Sequence, residues 1–425
     1  MSTPAPPQNT SWLKKLGPGL VTGAADDDPS GIATYSQAGA QFGFDLLWTV
    51  LGTFPLMAAI QVVSARIGRV TGHGLATNIR QHYPRWLLYA IISLLLAANT
   101  INIAADVSAM GDAAALLAGG PAKLYTVLFG VGSLVLQVFV PYHRYVRFLK
   151  WLTLALLAYV ATVFAVHVDW LEVAKGTLMP HLSFQAGYIT TVVAVFGTTI
   201  SPYLFFWQAS EEVEELLATP GAKPLIEAPN QARANFRRIK VDTSVGMGFS
   251  NLIAFFIMLT TAVTLHAKGV TDIQTAAQAA EALRPVAGDF AFALFTMGIV
   301  GTGLLAIPVL AGSAAYAFAG AFRWTNGLEL PPSKARGFYS IIAVSTLLGI
   351  GIGFLPVDPI KALFWSAVIN GVISVPIMAV MMLLSANPKV MGQFVSRRRV
   401  KFLGWLATGV MSIAVLAMFW TMAAG

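Results

Sequence analysis

Three consecutive aspartates lie inside an apolar stretch near the start of the chain, where residues 24–33 read AADDDPSGIA. The surrounding segment is long and apolar enough to cross a bilayer. Carboxylates at bilayer depth are costly, and they are tolerated where they face a water-filled cavity or a bound cation. Pro29 removes a backbone donor and Gly31 relaxes the chain, so we expect the helix to break beside Asp28. A break exposes carbonyl oxygens next to a carboxylate, which predicts a cation site.

The composition is that of a membrane protein. Of the 425 residues, 56% are hydrophobic and only 11% are charged, whereas a soluble chain carries roughly a quarter charged residues. The sequence contains no cysteine, which excludes disulfides, thiolate catalysis and cysteine-based metal sites. The net charge of +8 comes from basic residues in short loops between apolar runs, and this pattern indicates membrane topology rather than nucleic-acid binding. We predict an all-α polytopic membrane protein.

Eleven membrane spans are predicted, and the loop charges orient them. Placing the N-terminus inside puts 22 of the 27 Lys and Arg residues on the cytoplasmic side, as the positive-inside rule requires. The sequence therefore predicts a multi-pass protein of the cell (inner) membrane with a cytoplasmic N-terminal segment, 1–16, and an external C-terminus. No cleavable signal peptide is expected. The predicted spans are 17–40, 45–65, 86–117, 123–141, 147–167, 188–218, 239–265, 289–322, 337–355, 360–384 and 401–422.

A second interrupted span supports the first. Residues 192–212 read VVAVFGTTISPYLFFWQASEE, with Pro202 in mid-span. Breaks in spans one and six occupy matching positions of two five-span units, and these units must have opposite orientations because five is odd. We therefore predict a single transmembrane domain, 17–425. Its predicted parts are a first inverted repeat at 17–167, a second at 188–384 and an additional helix at 401–422. A simple kink at Pro202 is the alternative.

Five stretches of the sequence carry a resemblance to a known family. They are LGPGLVTGAADDDPSGIATYSQAGAQFGFDLLWTVL, ARIGRVTGHGLA, NIAADVSAMGDAAAL, GTTISPYLFF and GLLAIPVLAGSAAYAFAGAF. Together they resemble the NRAMP family of divalent-metal transporters over most of the chain. The resemblance implies a LeuT-like fold with two inverted five-helix repeats, and a metal ion bound between broken helices one and six. It implies transport rather than enzymatic activity.

The first break departs from the family pattern. Where the family has Asp-Pro-Gly-Asn, this chain has Asp28, Pro29, Ser30 and Gly31. The carboxylate is kept, and the asparagine ligand has become glycine.

The sixth and third spans depart as well. Where the family has Met-Pro-His in span six, this chain has Ser201, Pro202 and Tyr203. Thr198 stands where a family alanine offers its backbone carbonyl. In span three, Asp106 matches an aspartate of the family's proton route, but the acidic residue expected three positions later is Ala109. The metal-binding residues that the resemblance implies are Asp28, Gly31, Thr198 and Ser201.

These departures favour magnesium. Without a thioether ligand the preference for soft transition metals is lost, since oxygen ligands suit magnesium, calcium and manganese. Magnesium dehydrates reluctantly and is usually held with several waters through one or two carboxylates, which suits an enlarged site. A divergent branch of the family transports magnesium, and this sequence is similar to it. Loss of the histidine and of the second acidic residue argues against proton coupling. The leading hypothesis is alternating-access uptake of hydrated magnesium, with no cofactor beyond the transported ion.

Other functions stay open at this stage. A proton-coupled manganese or broad divalent-metal transporter is the main alternative, because oxygen ligands accept manganese too. An organic-cation transporter or a non-transporting sensor on the same fold comes next, because fold does not determine substrate. An intramembrane aspartyl protease would need a Tyr-Asp pair, which the sequence lacks. One chain suffices for transport, and the sequence leaves the oligomeric state open.

Several polar residues of the spans are candidates for the ion pathway: Asp26, Asp27, Tyr203, Asp106, Gln208 and Asn370. For Asp26 and Asp27 the sequence favours a solvated vestibule over a direct ligand role. For Asn370 it favours a hydrogen bond between helices over a place in the ion's shell. Asp106 and Asp112 are six residues apart, so on a helix they point in opposite directions and at most one faces the pathway.

Polar features near the ends of the spans read as structural. An acidic run follows span six at its cytoplasmic end, and we expect a solvated, salt-bridged face there. The loop 216–238 is a gate or a linker, and its Pro, Ala and Gly content favours a linker. The six histidines fall at loops or span ends and read as surface residues. The acidic run consists of Glu211, Glu212, Glu214 and Glu215.

Overall fold

The computed structural model of the chain describes residues 18–140 and 152–424 and is helical throughout its membrane part. Among these residues, eight helices are long and apolar enough to cross a membrane. Three further spans complete the predicted eleven: the broken first span, the described part of span five, and the shorter span nine. The predicted segment 1–16 and the start of span five at 147–151 lie outside the described residues.

The helices are labelled in chain order. In the first half they are α1 (Pro18–Asp26), α2 (Pro29–Phe42), α3 (Leu47–Thr71), α4 (Leu75–His82), α5 (Arg85–Ala118), α6 (Ala122–Phe139), α7 (Leu157–Ala165) and α8 (Trp170–Leu178). In the second half they are α9 (Ala186–Thr199), α10 (Pro202–Ala218), α11 (Ala232–Thr264), α12 (Ala276–Glu281), α13 (Arg284–Ala287), α14 (Ala291–Phe322), α15 (Arg336–Ile352), α16 (Pro359–Ala386), α17 (Pro388–Met391) and α18 (Arg398–Ala424). The short helices α4 and α8 lie in segments that the sequence analysis left as loops.

The first span breaks where the sequence predicts it. Helix α1 ends at Asp26, and α2 begins at Pro29. The residue before a proline is disfavoured in the helical region, and Asp28 is accordingly extended, with φ −72° and ψ 170°. Pro29 occupies the first position of α2, where a missing N–H costs nothing. The break therefore follows from one Asp-Pro pair.

The sixth span breaks in the same way, before a proline. Helix α9 ends at Thr199, Ser201 is extended, and Pro202 opens α10. The Ser201 hydroxyl donates to the carbonyls of Gly197 and Thr198, at 2.8 and 2.7 Å. It thereby satisfies carbonyl groups that the end of α9 leaves without helical partners. The broken-helix prediction is confirmed in both spans.

The first span packs closely against the seventh through glycine. A Cβ built on Gly23 would lie 2.3 Å from the backbone carbon of Gly246, and one on Gly39 would lie 2.1 Å from the carbonyl oxygen of Met258. Small residues at such crossings allow membrane helices to approach backbone to backbone. Both halves of the first span are thus held along α11.

The segment between α10 and α11 is packed onto the protein, so its interpretation as a simple linker is wrong. Leu225 is fully buried. The N–H groups of Leu225 and Ile226 donate to the carbonyls of Arg69 and Val70 at the end of α3, both at 3.3 Å. These contacts pair orphan carbonyls at a helix C-terminus, and they attach the segment to α3.

Candidate functional site

Asp28 lies at the centre of the candidate site, between the two halves of span one. Its Oδ1 accepts from the Gly31 N–H and from the Ser30 hydroxyl, both at 2.7 Å, so it caps α2. Its Oδ2 accepts from the Asn102 amide at 3.1 Å and from the Tyr203 hydroxyl at 3.2 Å. Spans one, three and six therefore converge on one carboxylate, which is only 1% exposed.

An amide relay joins this carboxylate to spans three and ten. The Asn370 amide donates to Asn102 Oδ1 at 3.3 Å. The Asn102 amide in turn donates to Asp28 and, at 3.4 Å, to Asp106 Oδ2. Asn370 forms the bond between helices that the sequence favoured, and it lies two steps from Asp28. Asn102 was missed, although its spacing of four residues from Asp106 placed both on one helical face.

Gly31 lies close to oxygen atoms of both broken spans. A Cβ built on Gly31 would lie 3.3 Å from Thr198 Oγ1 and 3.5 Å from the Asp26 carbonyl oxygen. The Thr198 hydroxyl, Asp106 Oδ1 and Asn370 Oδ1 are buried and make no hydrogen bond within the described part of the chain. The Ser201 hydroxyl, by contrast, already donates its hydrogen to carbonyls of α9, so it can offer only oxygen lone pairs to a cation.

Tyr203 connects the two breaks directly. Its hydroxyl, which lies in the first turn of α10, also lies 3.3 Å from the carbonyl oxygen of Ala25 near the end of α1. The side chain is fully buried. Tyr203 therefore contacts both the candidate carboxylate and the exposed backbone of the first break.

Asp26 and Asp27 are buried, so their placement in a solvated vestibule is wrong. They are 1% and 3% exposed. The Ser250 hydroxyl of α11 lies 2.6 Å from Asp26 Oδ2 and 3.0 Å from Asp27 Oδ1. Close packing of α1 on α11 excludes the solvent, which the sequence could not reveal. Ser250 is a further polar residue of the site that sequence reasoning missed.

Asp106 is also buried, whereas Asp112 on the opposite face of α5 is only half-buried. Four buried carboxylates therefore cluster around the first break: Asp26, Asp27, Asp28 and Asp106. Across residues 18–140 and 152–424, no lysine or arginine is within ion-pair distance of any of them. Buried carboxylates without a protein counter-charge are costly, and bound cations or protons relieve that cost.

Gln208 lies in α10, after the second break. The Thr22 hydroxyl of α1 donates to Gln208 Oε1 of α10 at 2.6 Å. The Asp242 carboxylate of α11 accepts from the Gly19 N–H at 2.7 Å, in the first turn of α1. The first bond therefore joins α1 to α10, and the second joins α1 to α11.

The acidic run after the second break is salt-bridged but only partly solvated. Arg238 pairs with Glu212 at 2.5 Å and with Glu215 at 2.7 Å, which confirms the ion pairs. Glu212 is fully buried, however, and Glu214 accepts from the Tyr316 hydroxyl and the Leu328 N–H. The expectation of a wholly solvated face is therefore wrong, because α11 and α14 cover this turn of α10.

The site is closed to solvent on both sides. Asp28, Thr198 and Ser201 are each 1% exposed, and Asp106 and Tyr203 are fully buried. In the described ranges, no cluster of three or more His, Asp or Glu side chains is arranged to hold a metal ion. Asp28 therefore offers one carboxylate among hydroxyl, amide and carbonyl oxygens.

The fold and this site define a class of polytopic membrane proteins with two broken helices around a buried carboxylate. The sequence profile of the family described as "Natural resistance-associated macrophage protein-like" (Nramp) matches residues 19–421. The chain belongs to the Nramp family, as the sequence resemblance predicted.

Individual relatives agree with this assignment. The "Divalent metal cation transporter MntH" of Klebsiella pneumoniae (strain 342) is 26% identical over 409 residues, which cover 94% of this chain and 92% of that protein. A crystal structure of the Eremococcus coleocola manganese transporter has a TM-score of 0.75 at 17% identity, covering 100% of this chain and 89% of that one.

A structure with lower sequence identity supports the fold assignment. MhsT in complex with L-phenylalanine has a TM-score of 0.60 at 12% identity, covering 95% of this chain and 98% of that one. The predicted LeuT-like fold is thereby confirmed. The residue limits of the two repeats stay predictions.

Proposed function

We propose that this protein transports divalent metal cations by alternating access, with hydrated magnesium as the preferred ion. The observation that carries the proposal is the cluster of four buried carboxylates around the broken first span, without any lysine or arginine paired to them among the described residues. The curated relatives named as divalent metal cation transporters support the same substrate class.

The chemistry of the site favours a hard ion that keeps water. Asp28 is surrounded by hydroxyl, amide and carbonyl oxygens, which are the donors that magnesium prefers. Gly31 and Ser201 occupy positions where larger ligands stand in the family, and Thr198 Oγ1 lies beside Gly31. Waters of a hydrated ion would donate to Thr198, Asp106 and Asn370, whose free oxygens are described above.

We also propose that uptake is not coupled to protons, because two residues that could carry a proton are replaced in this chain. The position three residues after Asp106 is Ala109, and Tyr203 stands in place of histidine. Asp106 is bonded through Asn102 to Asp28, and the next turn of α5 carries no carboxylate at position 109 that could take a proton from it. In this proposal, the driving force is the gradient of the metal ion and the membrane potential.

Access to the site requires the inner halves of spans one and six to move. The Thr22–Gln208 and Gly19–Asp242 bonds hold α1 against α10 and α11. Helix α1 is also packed along α11, where a Cβ built on Gly23 would lie 2.3 Å from the Gly246 backbone, so its movement must separate this contact as well as the two hydrogen bonds. We propose that their release opens the site to the cytoplasm.

Manganese is the second candidate, and one observation favours it. A Cβ built on Gly303 would lie 2.4 Å from the Met110 sulfur and 3.3 Å from the Pro29 ring. Met110 is thus a soft thioether one turn beyond Asp106 and close to the first break, in a position the sequence analysis did not consider. A dehydrated manganese ion could use it, since thioethers favour softer metals.

The decisive experiment is ion influx into proteoliposomes, with magnesium, manganese and calcium compared and an internal pH dye present. Asp28→Asn is the test variant, because asparagine still caps a helix but lacks the charge. Asp112→Asn is the matched control, since it removes a carboxylate from the opposite face of α5. We expect magnesium influx, a flat pH signal, at least about a hundredfold loss in Asp28→Asn and no loss in Asp112→Asn.

Other results point elsewhere. Manganese influx with acidification, lost in Met110→Leu, would favour the coupled manganese transporter. Absence of any metal influx would direct attention to organic cations or to a sensor role. The proposal also places the protein in the cell (inner) membrane with its N-terminus in the cytoplasm, and it needs only one chain.

A further inference from the structure

A basic cavity lies at the predicted cytoplasmic ends of α4, α5 and α14, away from the metal site. Its volume is about 600 Å³, and its walls include Arg80, Arg85 and Arg323 with the aromatic rings of Tyr89 and Phe322. Three guanidinium groups from three separate elements thus border one opening. The proposed transport function uses none of them.

These arginines have no acidic partner within the part of the chain that the structure describes. Within residues 18–140 and 152–424, the ion pairs involve other cations. One guanidinium nitrogen of Arg80 donates to the carbonyls of Gly320 and Ala321 at the end of α14, at 2.7 and 3.5 Å. Burial, and then the positive charge of Arg323, lower the pKa of Arg80. The cavity therefore concentrates positive charge that the described protein does not neutralise.

Arg323 is held in a backbone conformation that glycine prefers. It ends α14 with φ 60° and ψ 34°, and in the described part of the chain it is the only residue other than glycine with positive φ. Helices commonly place glycine at this position because a Cβ is unfavourable there. Strain of this kind persists mainly where a side chain serves a function. Here it puts a guanidinium group at the cavity.

Aromatic residues place the cavity at the level of the membrane surface. Tyr89 stacks on Phe322 with ring centroids 6.0 Å apart, and Phe322 stacks on Trp324 at 5.2 Å. Trp86, one residue after Arg85, is 70% exposed. Exposed Trp and Tyr side chains mark the interface between hydrocarbon and water. The arginines thus lie at the depth of lipid headgroups, and the aromatic rings lie beside acyl chains.

We propose that this cavity binds the phosphate headgroup of an anionic phospholipid from the cytoplasmic leaflet. Guanidinium groups bind phosphate with paired N–H donors, and basic pockets between transmembrane helices on the cytoplasmic side are suited to anionic headgroups. The flanking aromatic surface favours a lipid over a soluble phosphate, because it provides contact for the acyl chains. A bound lipid would link α4, which follows span two, to α5 and α14.

The test is native mass spectrometry of the purified, delipidated full chain after addition of phosphatidylglycerol or phosphatidylcholine. The main variant is the double substitution Arg85→Gln and Arg323→Gly. It keeps Arg80 and its hydrogen bonds to the carbonyls of Gly320 and Ala321. Arg399→Gln is the matched control, because Arg399 is an exposed arginine on the same predicted face. Inorganic phosphate is added in a separate arm as a competitor.

We expect retention of one phosphatidylglycerol by the wild type and by Arg399→Gln, with weaker retention of phosphatidylcholine. The double variant should bind about 25-fold more weakly, since each basic residue near an anionic surface contributes roughly a factor of five. Arg323→Gly alone should keep or raise the melting temperature in neutral lipid while binding falls, which separates lost binding from misfolding. Equal retention of both lipids, unchanged binding by the double variant, or displacement of the lipid by dilute inorganic phosphate would each overturn the proposal.

Discussion

At the scale of single residues, Asp28 has two different tasks. Its Oδ1 caps α2, and its Oδ2 is surrounded by donors from Asn102 and Tyr203. A cation that approaches Oδ2 must compete with an N–H and an O–H that already point at it. The neighbours of Asp28 therefore set the apparent affinity of the site as much as the carboxylate does.

Tyr203→Phe tests this competition. The substitution removes the hydroxyl that donates to Asp28 and keeps the ring that fills the core. Because a net hydrogen bond contributes about 1 kcal/mol, we expect KM for magnesium to fall about fivefold and the melting temperature of the ion-free protein to fall slightly. Concentration-dependent influx and a melting curve measure both. A higher KM would mean that Tyr203 holds the ion's waters rather than competing with the ion.

Gly31→Asn tests the size of the site. The new side chain would begin 3.3 Å from Thr198 Oγ1 and 3.4 Å from the Tyr35 ring, so it fills the space assigned to a hydrated ion. We expect magnesium influx to fall at least about tenfold while manganese influx falls less, because manganese dehydrates more readily. Gly132→Ala is the control, since a Cβ there has open space around it. An equal loss for both ions would argue against size selection.

At the scale of elements, the proposed movement centres on α1, the half of span one that precedes the first break. Helix α1 has only nine residues. It is held on α11 by close glycine contacts and at its start by Asp242. Its neighbour α10 is anchored more firmly, through the Arg238 ion pairs and the Glu214 contacts. We infer that cytoplasmic opening begins at α1.

Gly23→Ala tests this inference. The added methyl group would lie 2.3 Å from the backbone of Gly246, so α1 must move away from α11. Overpacking of this kind costs roughly 1–3 kcal/mol, and we expect a lower melting temperature together with greater labelling of a cysteine placed at Ser250. Gly248→Ala meets only the Phe54 ring, at 3.4 Å, and should leave both readouts unchanged. Unchanged labelling in Gly23→Ala would locate the moving element elsewhere.

At the scale of the whole molecule, the orientation predicted from charge can be checked directly. The chain has no natural cysteine, so single cysteines are unambiguous probes. Ser333→Cys and Thr271→Cys place them at exposed positions after span eight and after span seven. In intact cells, an impermeant maleimide should label Thr271→Cys and not Ser333→Cys. The reverse pattern would place the N-terminus outside and invert the direction of the proposed lipid site.

The sequence alone determined much of this protein. The lengths of the apolar runs predicted the spans. The Asp28–Pro29 and Ser201–Pro202 pairs predicted both helix breaks, and the sequence motifs predicted the family. These features are local, because a proline acts on its neighbours and a span is set by consecutive residues. For the same reason, Asp28 could be identified as the centre of the site before its surroundings were known.

Only the tertiary structure decided which distant groups share the site. Asn102 and Ser250 reach the aspartates from spans three and seven, and the burial of Asp26 and Asp27 depends on glycine contacts between α1 and α11. The sequence predicted a solvated vestibule there, because a run of charge usually faces water. Contacts between residues more than seventy positions apart depend on how helices cross, and no periodicity within one helix contains that information.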